Sequence, residues 1–288
     1  MLRGPPPQEL EIDSIRKPIP SRGIVRMSQS PTPNASPYPD LKNQVALVLG
    51  AGQSGNPKSK HWGNGAAIAK VLSTSGAKVI ACDVNLDAAQ QTASRIQASG
   101  GVCDAAQADV TSARDIQRVT DQVLTKYGDQ TQPQNRLSQL PCRSPDHGRQ
   151  GSGSIINNAS IAGMRYLGKP QVAYASAKVA VMHFTKVTGV MYAGKGVRVN
   201  SVAPGMMYTP LLEMLGNSES DNDREVYRKI TDHNVPSGVM GDAFDVANCV
   251  AFLASHSSRY ITGQNLVVDG GLTSSTGTGG VPAPSPKL

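Results

Sequence analysis

Short strand-like runs alternate with helical patterns along most of this chain, and that alternation limits the fold more than any other feature. The runs fall at residues 44–49, 78–82, 103–108, 154–158, 197–203 and 265–269. The first is continuously apolar after its opening glutamine, with no polar residue every second place. A strand that is apolar on both faces belongs inside a parallel sheet covered by helices on both sides. The expectation is therefore an α/β protein: a doubly wound parallel sheet in three α/β/α layers.

The first run ends in Gly50-Ala51-Gly52, and a second glycine pair follows at Gly63-Asn64-Gly65. Residues 66–75 then place Ile68, Val71 and Leu72 at helical spacing, and Gly76 is a natural stop. Strand, glycine loop and helix in that order suit phosphate binding. Glycines allow the tight turn and close backbone approach, and a helix N-terminus attracts the anion. Residues 53–62 separate the two glycine groups and carry Lys58, Lys60, His61 and Trp62. They read as a solvated flap, with Lys58 or Lys60 reaching a phosphate as the alternative. The second run ends at Asp83, which can accept hydrogen bonds from ribose hydroxyls and repel a 2′-phosphate. Asn85 suits the N-cap of the helix that begins near Leu86. Ser112 and Asp115 have the spacing of a capping box before a helix with Ile116, Val119, Val123 and Leu124 on its apolar face.

The densest chemistry lies between Gly153 and Thr209. The segment GSIINNASIAG contains a strand ending near Asn158 and then Ser160. Tyr174 and Lys178 follow at the head of a long apolar helical run, residues 172–192. Residues four apart share a helix face, and a cation one turn from a tyrosine favours the phenolate. A serine hydroxyl nearby can hydrogen-bond a substrate oxygen on which negative charge develops. Pro204-Gly205 and Thr209 close the stretch.

Taken in order, the glycine groups, Ser160, Tyr174, Lys178 and Pro204-Gly205 resemble the short-chain dehydrogenase/reductase family. The resemblance covers residues 41–128 and 149–271, and the ending Ile261-Thr262-Gly263 through Gly270-Gly271 is similar to the family's C-terminal signature. It implies a Rossmann fold and hydride exchange between a nicotinamide cofactor and an alcohol or ketone carbon. It implies Ser160, Tyr174 and Lys178 as the catalytic set, with Tyr174 and Lys178 also touching the cofactor. For the cofactor it implies Gly50, Gly63, Asn64, Gly65, the Asp83 selector, Asp109 and Val110 against adenine, and Met207 and Thr209 beside nicotinamide. NAD is expected from Asp83, with NADP the alternative. The family assembles as homodimers or homotetramers, partly through its tyrosine helix.

One stretch departs from that pattern. Residues 129–153 are polar, proline-bearing and without period, where the family has a strand, an Asn-Asn-Ala-Gly motif and a long helix bearing a catalytic asparagine. The central strand after residue 128 is therefore doubtful on sequence grounds. Residues 129–148 read as an altered segment, from faulty splicing or a shifted reading frame, with Arg149-Gln150-Gly151 marking the return. Asn157-Asn158 belongs to the serine strand. A second reading of the whole is a truncated, inactive relative that binds only a dinucleotide or a partner chain.

Residues 1–40 carry nine of the 20 prolines and read as a disordered extension, with 41–271 the single domain and 272–288 a flexible tail. Glu9, Glu11, Asp13 and the prolines oppose a mitochondrial leader, and Met27 is an alternative start. The net charge of +7 is scattered, which points away from nucleic acid, and no apolar run is long enough for a membrane. Cys82, Cys103, Cys142 and Cys249 lack metal spacing and read as reduced thiols of a cytoplasmic protein. Residues 210–238 read as a mobile substrate lid, and Met206, Met207, Leu211, Leu212 and Met214 as an apolar wall or ordinary core. A small apolar or ring-bearing alcohol or ketone, such as a secondary metabolite, is the expected substrate.

Overall fold

A computed structural model describes residues 38–53, 59–127, 152–168, 170–210 and 235–275, together with the backbone of 136–137. In chain order the elements are β1 (Val45–Leu49), α1 (Asn64–Thr74), β2 (Lys78–Asp83), α2 (Leu86–Gln97), β3 (Cys103–Gln107) and α3 (Ala113–Tyr127). Then come β4 (Arg136–Leu137), β5 (Gly153–Asn158), α4 (Val172–Ala193), β6 (Val197–Pro204), β7 (Met207–Tyr208), β8 (Gly241–Asp242), α5 (Ala243–Ala254) and β9 (Asn265–Val268). The main sheet is parallel throughout, in the order β3-β2-β1-β4-β5-β6-β9. From β1 the winding runs outward first through β2 and β3, then in the other direction through β4 to β9. The reversal opens a crevice beyond the C-terminal ends of β1 and β4, which is where ligands bind in such sheets.

All five residues of β1 are buried, and they divide between two cores. Ala46 and Val48 join one cluster with Leu72 of α1 and Val250 of α5. Val45, Leu47 and Leu49 join the other, with Ile116, Val119 and Val123 of α3. Successive strand side chains point to opposite faces, so one apolar run supplies both. This is the three-layer Rossmann arrangement that the pattern predicts.

The central strand needs a correction. Arg136–Leu137 lies between β1 and β5, pairing Val45 with Arg136, Ala46 with Leu137 and Leu137 with Ser154. The polar stretch after residue 128 does supply this strand, in a form of two residues. Two residues carry no period, and a ladder is made of backbone groups that any side chain can accompany. Leu47, Val48 and Leu49 pair with β2 alone among the described residues.

Local signals mostly hold. Asn85 Oδ1 accepts hydrogen bonds from Asp87 N at 3.0 Å and Ala88 N at 3.3 Å, capping α2. The capping box at Ser112 is half formed: Ser112 Oγ accepts from Asp115 N, but the Asp115 carboxylate takes Asp109 N instead of the cap's own N–H. A complete box sits at α5, between Asp242 and Asp245. The fold begins with a turn at Pro39–Leu41, where Leu41 is fully buried. At the other end, Leu272–Ser274 forms a turn with Leu272 buried. The described residues at the two ends are 38 and 275. Residues 1–37 and 276–288, which include most of the expected extension and tail, lie outside the described residues.

Helix α4 docks through small residues. Thr185, Thr188 and Gly189 are its buried positions, and a Cβ on Gly189 would sit 2.6 Å from Gly263 N. Val172, Val179, Val190 and Met191 on the same helix are exposed. Arg198 in β6 lies under the end of α5 and donates to the carbonyls of Leu253, Ala254 and Ser255. Cys82 and Cys103 are buried free thiols, both pushed up to about 11 chiefly by burial. Cys142 lies outside the described residues.

Candidate active site

The C-terminal end of β5 brings the catalytic candidates together. Lys178 Nζ donates to the carbonyl of Asn158, the last residue of β5, at 2.9 Å. Its ammonium lies 5.5 Å from the centre of the Tyr174 ring, one helical turn back on α4. Ser160 follows Asn158 by two residues and caps a short turn, Ile161–Gly163, with its Oγ accepting from Ala162 N at 3.2 Å. That turn packs directly on α4. A Cβ on Gly163 would lie 2.8 Å from Val179 N, so glycine is what lets the serine segment approach the helix at Lys178. Asn157 Nδ2 donates to Thr185 Oγ1 at 2.9 Å, fastening β5 to α4 from the other side. Tyr174 is 47% exposed, which leaves its ring accessible.

The glycine loop forms the opposite wall. Gly50 has φ of +71°, a conformation that side chains rarely adopt. A Cβ on Gly65 would collide with Gly50 O, so the first turn of α1 can sit against the end of β1 only with glycine there. Gly63 is the α1 N-cap and offers no side chain, leaving the first-turn N–H groups of the helix uncapped. Asp83 Oδ2 accepts from Gly52 N at 2.8 Å, and its Oδ1 accepts from Asn85 N at 3.1 Å. The carboxylate therefore fixes the loop, and each oxygen keeps a lone pair for a further donor.

Two buried side-chain oxygens in this region have no hydrogen-bond partner among the described residues: Asn64 Oδ1 at the start of α1 and Asn158 Oδ1 at the end of β5. Unpaired buried acceptors are costly and call for an outside donor. Beyond β3, the Asp109 carboxylate is occupied by Thr111, whose hydroxyl and backbone N–H hold it below its ordinary value. Val84 and Val110 are exposed beyond β2 and β3. Met207 and Thr209 follow the turn at Pro204-Gly205, with Met207 in β7 packed on the larger core. Met206 packs against the cluster of Ala159, Ile161, Ala203, Val235 and Leu272. Leu211, Leu212 and Met214, with residues 211–234 of the expected lid, lie outside the described residues.

Sequence reasoning missed several contributors. The Asn158 carbonyl has no signature, because a backbone acceptor is the same for every residue type. Gly163 was visible as a glycine after a strand, but its contact with α4 is a tertiary fact. Gln53, Arg95 and Tyr208 also support this region without a motif to mark them.

Known proteins resemble this arrangement. A family model described as short chain dehydrogenase matches residues 44–130, and one described as enoyl-(acyl carrier protein) reductase matches residues 142–273. Residues 131–141 fall between the two matches. A 3beta-hydroxysteroid dehydrogenase of Eggerthella lenta is 32% identical, over 82% of this chain and 96% of that protein. A solved short-chain dehydrogenase/reductase structure from Burkholderia xenovorans has TM-score 0.72 and 32% identity, over 82% of this chain and 98% of that chain. A 7alpha-hydroxysteroid dehydrogenase solved with NADH and 7-oxo glycochenodeoxycholic acid has TM-score 0.65 and 25% identity, over 80% of this chain and 94% of that chain.

Proposed function

The chain belongs to the short-chain dehydrogenase/reductase family, and we propose that it moves a hydride between a nicotinamide dinucleotide and the hydroxyl-bearing or keto carbon of an apolar, ring-bearing metabolite. The observation that carries this reading is the Lys178 ammonium, anchored on Asn158 O at 2.9 Å and 5.5 Å from the Tyr174 ring, two residues before Ser160. Tyr174 passes the proton to or from the substrate oxygen. Lys178 stabilises the phenolate and, with two N–H donors beyond the Asn158 bond, holds the nicotinamide ribose. Ser160 Oγ orients the substrate oxygen and meets its developing charge.

The residues fit a dinucleotide. The uncapped start of α1, the Gly50–Gly65 approach and the orphaned Asn64 Oδ1 make a cradle with unfilled hydrogen-bonding capacity for a phosphate-ribose backbone. Gly50, Gly63, Asn64 and Gly65 hold the pyrophosphate, Asp83 the adenosine ribose, Asp109 and Val110 the adenine edge, and Met207 and Thr209 the carboxamide. When bound, the nicotinamide supplies or accepts the hydride. Asp83 favours NAD, NADP being the alternative, and NADH is the cofactor in the 7alpha-hydroxysteroid dehydrogenase structure. The names of the steroid-acting relatives support an apolar ring substrate, of the kind that secondary metabolism also produces. Reduced buried thiols support a cytoplasmic setting. The exposed apolar face of α4 supports a homodimer or homotetramer.

A second reading rests on the two-residue β4: an inactive relative that retains dinucleotide binding or a partner contact. Turnover separates the two. Tyr174→Phe is expected to lower turnover by about two to four orders of magnitude while leaving NADH titration unchanged. Retained turnover in that variant would remove Tyr174 from its role, and no turnover by the unsubstituted chain on a panel of cyclic alcohols and ketones would favour the second reading.

A further inference from the structure

The described part of the insertion in the glycine loop is tied down by four residues, and the pattern of ties is specific. At its base, the buried Gln53 donates from Nε2 to His61 O at 2.8 Å and accepts at Oε1 from Gly63 N at 3.3 Å. On one side, the Arg95 guanidinium of α2 stacks 3.8 Å from the centre of the Trp62 ring and donates to the carbonyls of His61 and Lys60. On the other side, Trp62 meets Phe244 of α5 edge to face at 6.1 Å. His61 meets Tyr208 of β7 edge to face at 4.8 Å. Trp62 also packs against the larger core. Lys60 and His61 are exposed and Ser59 and Trp62 half-buried, so the described part of the insertion lies at the surface as a flap would, yet these contacts hold it in place.

The position of Tyr208 gives the arrangement meaning. It lies between Met207 and Thr209 and pairs with Asp242 in the small second sheet. The His61–Tyr208 contact therefore joins the loop that leads into Gly63-Asn64-Gly65 to the short strand that carries Met207 and runs into Thr209. These segments are far apart in sequence, yet one extended ligand must reach both.

We propose that residues 59–62 are a positioning staple: His61, through Tyr208, sets the distance between the phosphate-binding end and the nicotinamide-binding end of the site. This rests on the reading of the site as dinucleotide-binding. A ligand spanning both ends benefits from a fixed separation, because less ordering remains to be done when it binds. A ligand that fills one end alone does not.

Trp62 is the chain's single tryptophan, so its emission reports nucleotide binding without a label. His61→Ala and Tyr208→Ala are each expected to weaken NADH binding about three- to ten-fold, the size of one edge-to-face pair. The double variant should lose no more than either single one, and Tyr208→Phe should keep the affinity. ADP, which lacks the nicotinamide half, should bind all variants alike. Both side chains are at the surface, so melting temperatures should stay close to that of the unsubstituted chain. Additive losses, unchanged NADH affinity, or an equal loss for ADP would overturn the staple. Failure of the unsubstituted chain to bind NADH and NADPH would instead overturn the dinucleotide reading, and the staple with it.

Discussion

The residues that shape the crevice act mainly by what they omit. Gly65 is the clearest case, since any Cβ there would strike Gly50 O. Gly65→Ala should push α1 away from the end of β1 and cost about 1–3 kcal/mol, the range for overpacking at a tight site. It should also abolish NADH-dependent change in Trp62 emission; an alanine variant that melts and titrates like the parent would show that the approach is not required. Asp83 acts by position as well as charge. Its bonds to Gly52 N and Asn85 N make one carboxylate serve the loop, the start of α2 and, in our reading, the ribose. The asparagine that the family uses as a proton relay has no identified counterpart here. Asn158 Oδ1, at the end of β5, is nonetheless a buried amide oxygen with no hydrogen-bond partner among the described residues.

Among the elements, α4 and β4 depart furthest from self-sufficiency. Helix α4 has 22 residues but buries Thr185, Thr188 and Gly189, while Val190 is 73% and Met191 63% exposed. Apolar side chains in contiguous helical positions mark an interaction face more often than isolated exposed ones do. A homo-oligomer through α4 predicts that Val190→Asp shifts the sedimenting species toward monomer, with the melting temperature of the monomer little changed. An unaltered mass distribution would exclude this face. Strand β4 shows how little sequence a central strand can require. Its neighbours need backbone donors and acceptors, and Arg136 and Leu137 offer those as well as any valine would.

For the molecule as a whole, acid stability follows from its paired carboxylates. Burial acts to raise Asp104, but hydrogen bonds from Lys126 and Tyr127 outweigh it, and the carboxyl sits below its ordinary 3.8. Asp269 is likewise opposed by burial and held below 3.8 by donors from Thr273, Gly271 and Leu272. A carboxyl whose folded value is depressed contributes stability that is complete above its unfolded value and lost as pH falls through the folded one. The melting temperature should thus hold above pH 4 and decline below about 3.8. Asp104→Asn should remove part of that acid dependence, while a variant with the parent's full pH slope would place the effect elsewhere. Among the described residues, no helix is long and apolar enough to cross a membrane.

The sequence by itself determined the sheet apart from its central strand, and the glycine loop, because apolar runs, helical spacing and glycines report burial and backbone freedom directly. It also placed Tyr174 and Lys178 on one helix, since the turn between them is local. What it could not determine were contacts whose two halves lie far apart in the chain. The two-residue β4 exists because β1 and β5 flank it; the polar residues themselves carry no strand pattern. The Lys178 anchor is a backbone carbonyl, chemically identical at every position. The ties of the loop insertion were not legible because its partners, Arg95, Tyr208 and Phe244, come from three separate elements. Local propensity sets most of the elements, and packing between distant segments sets β4 and which side chains meet.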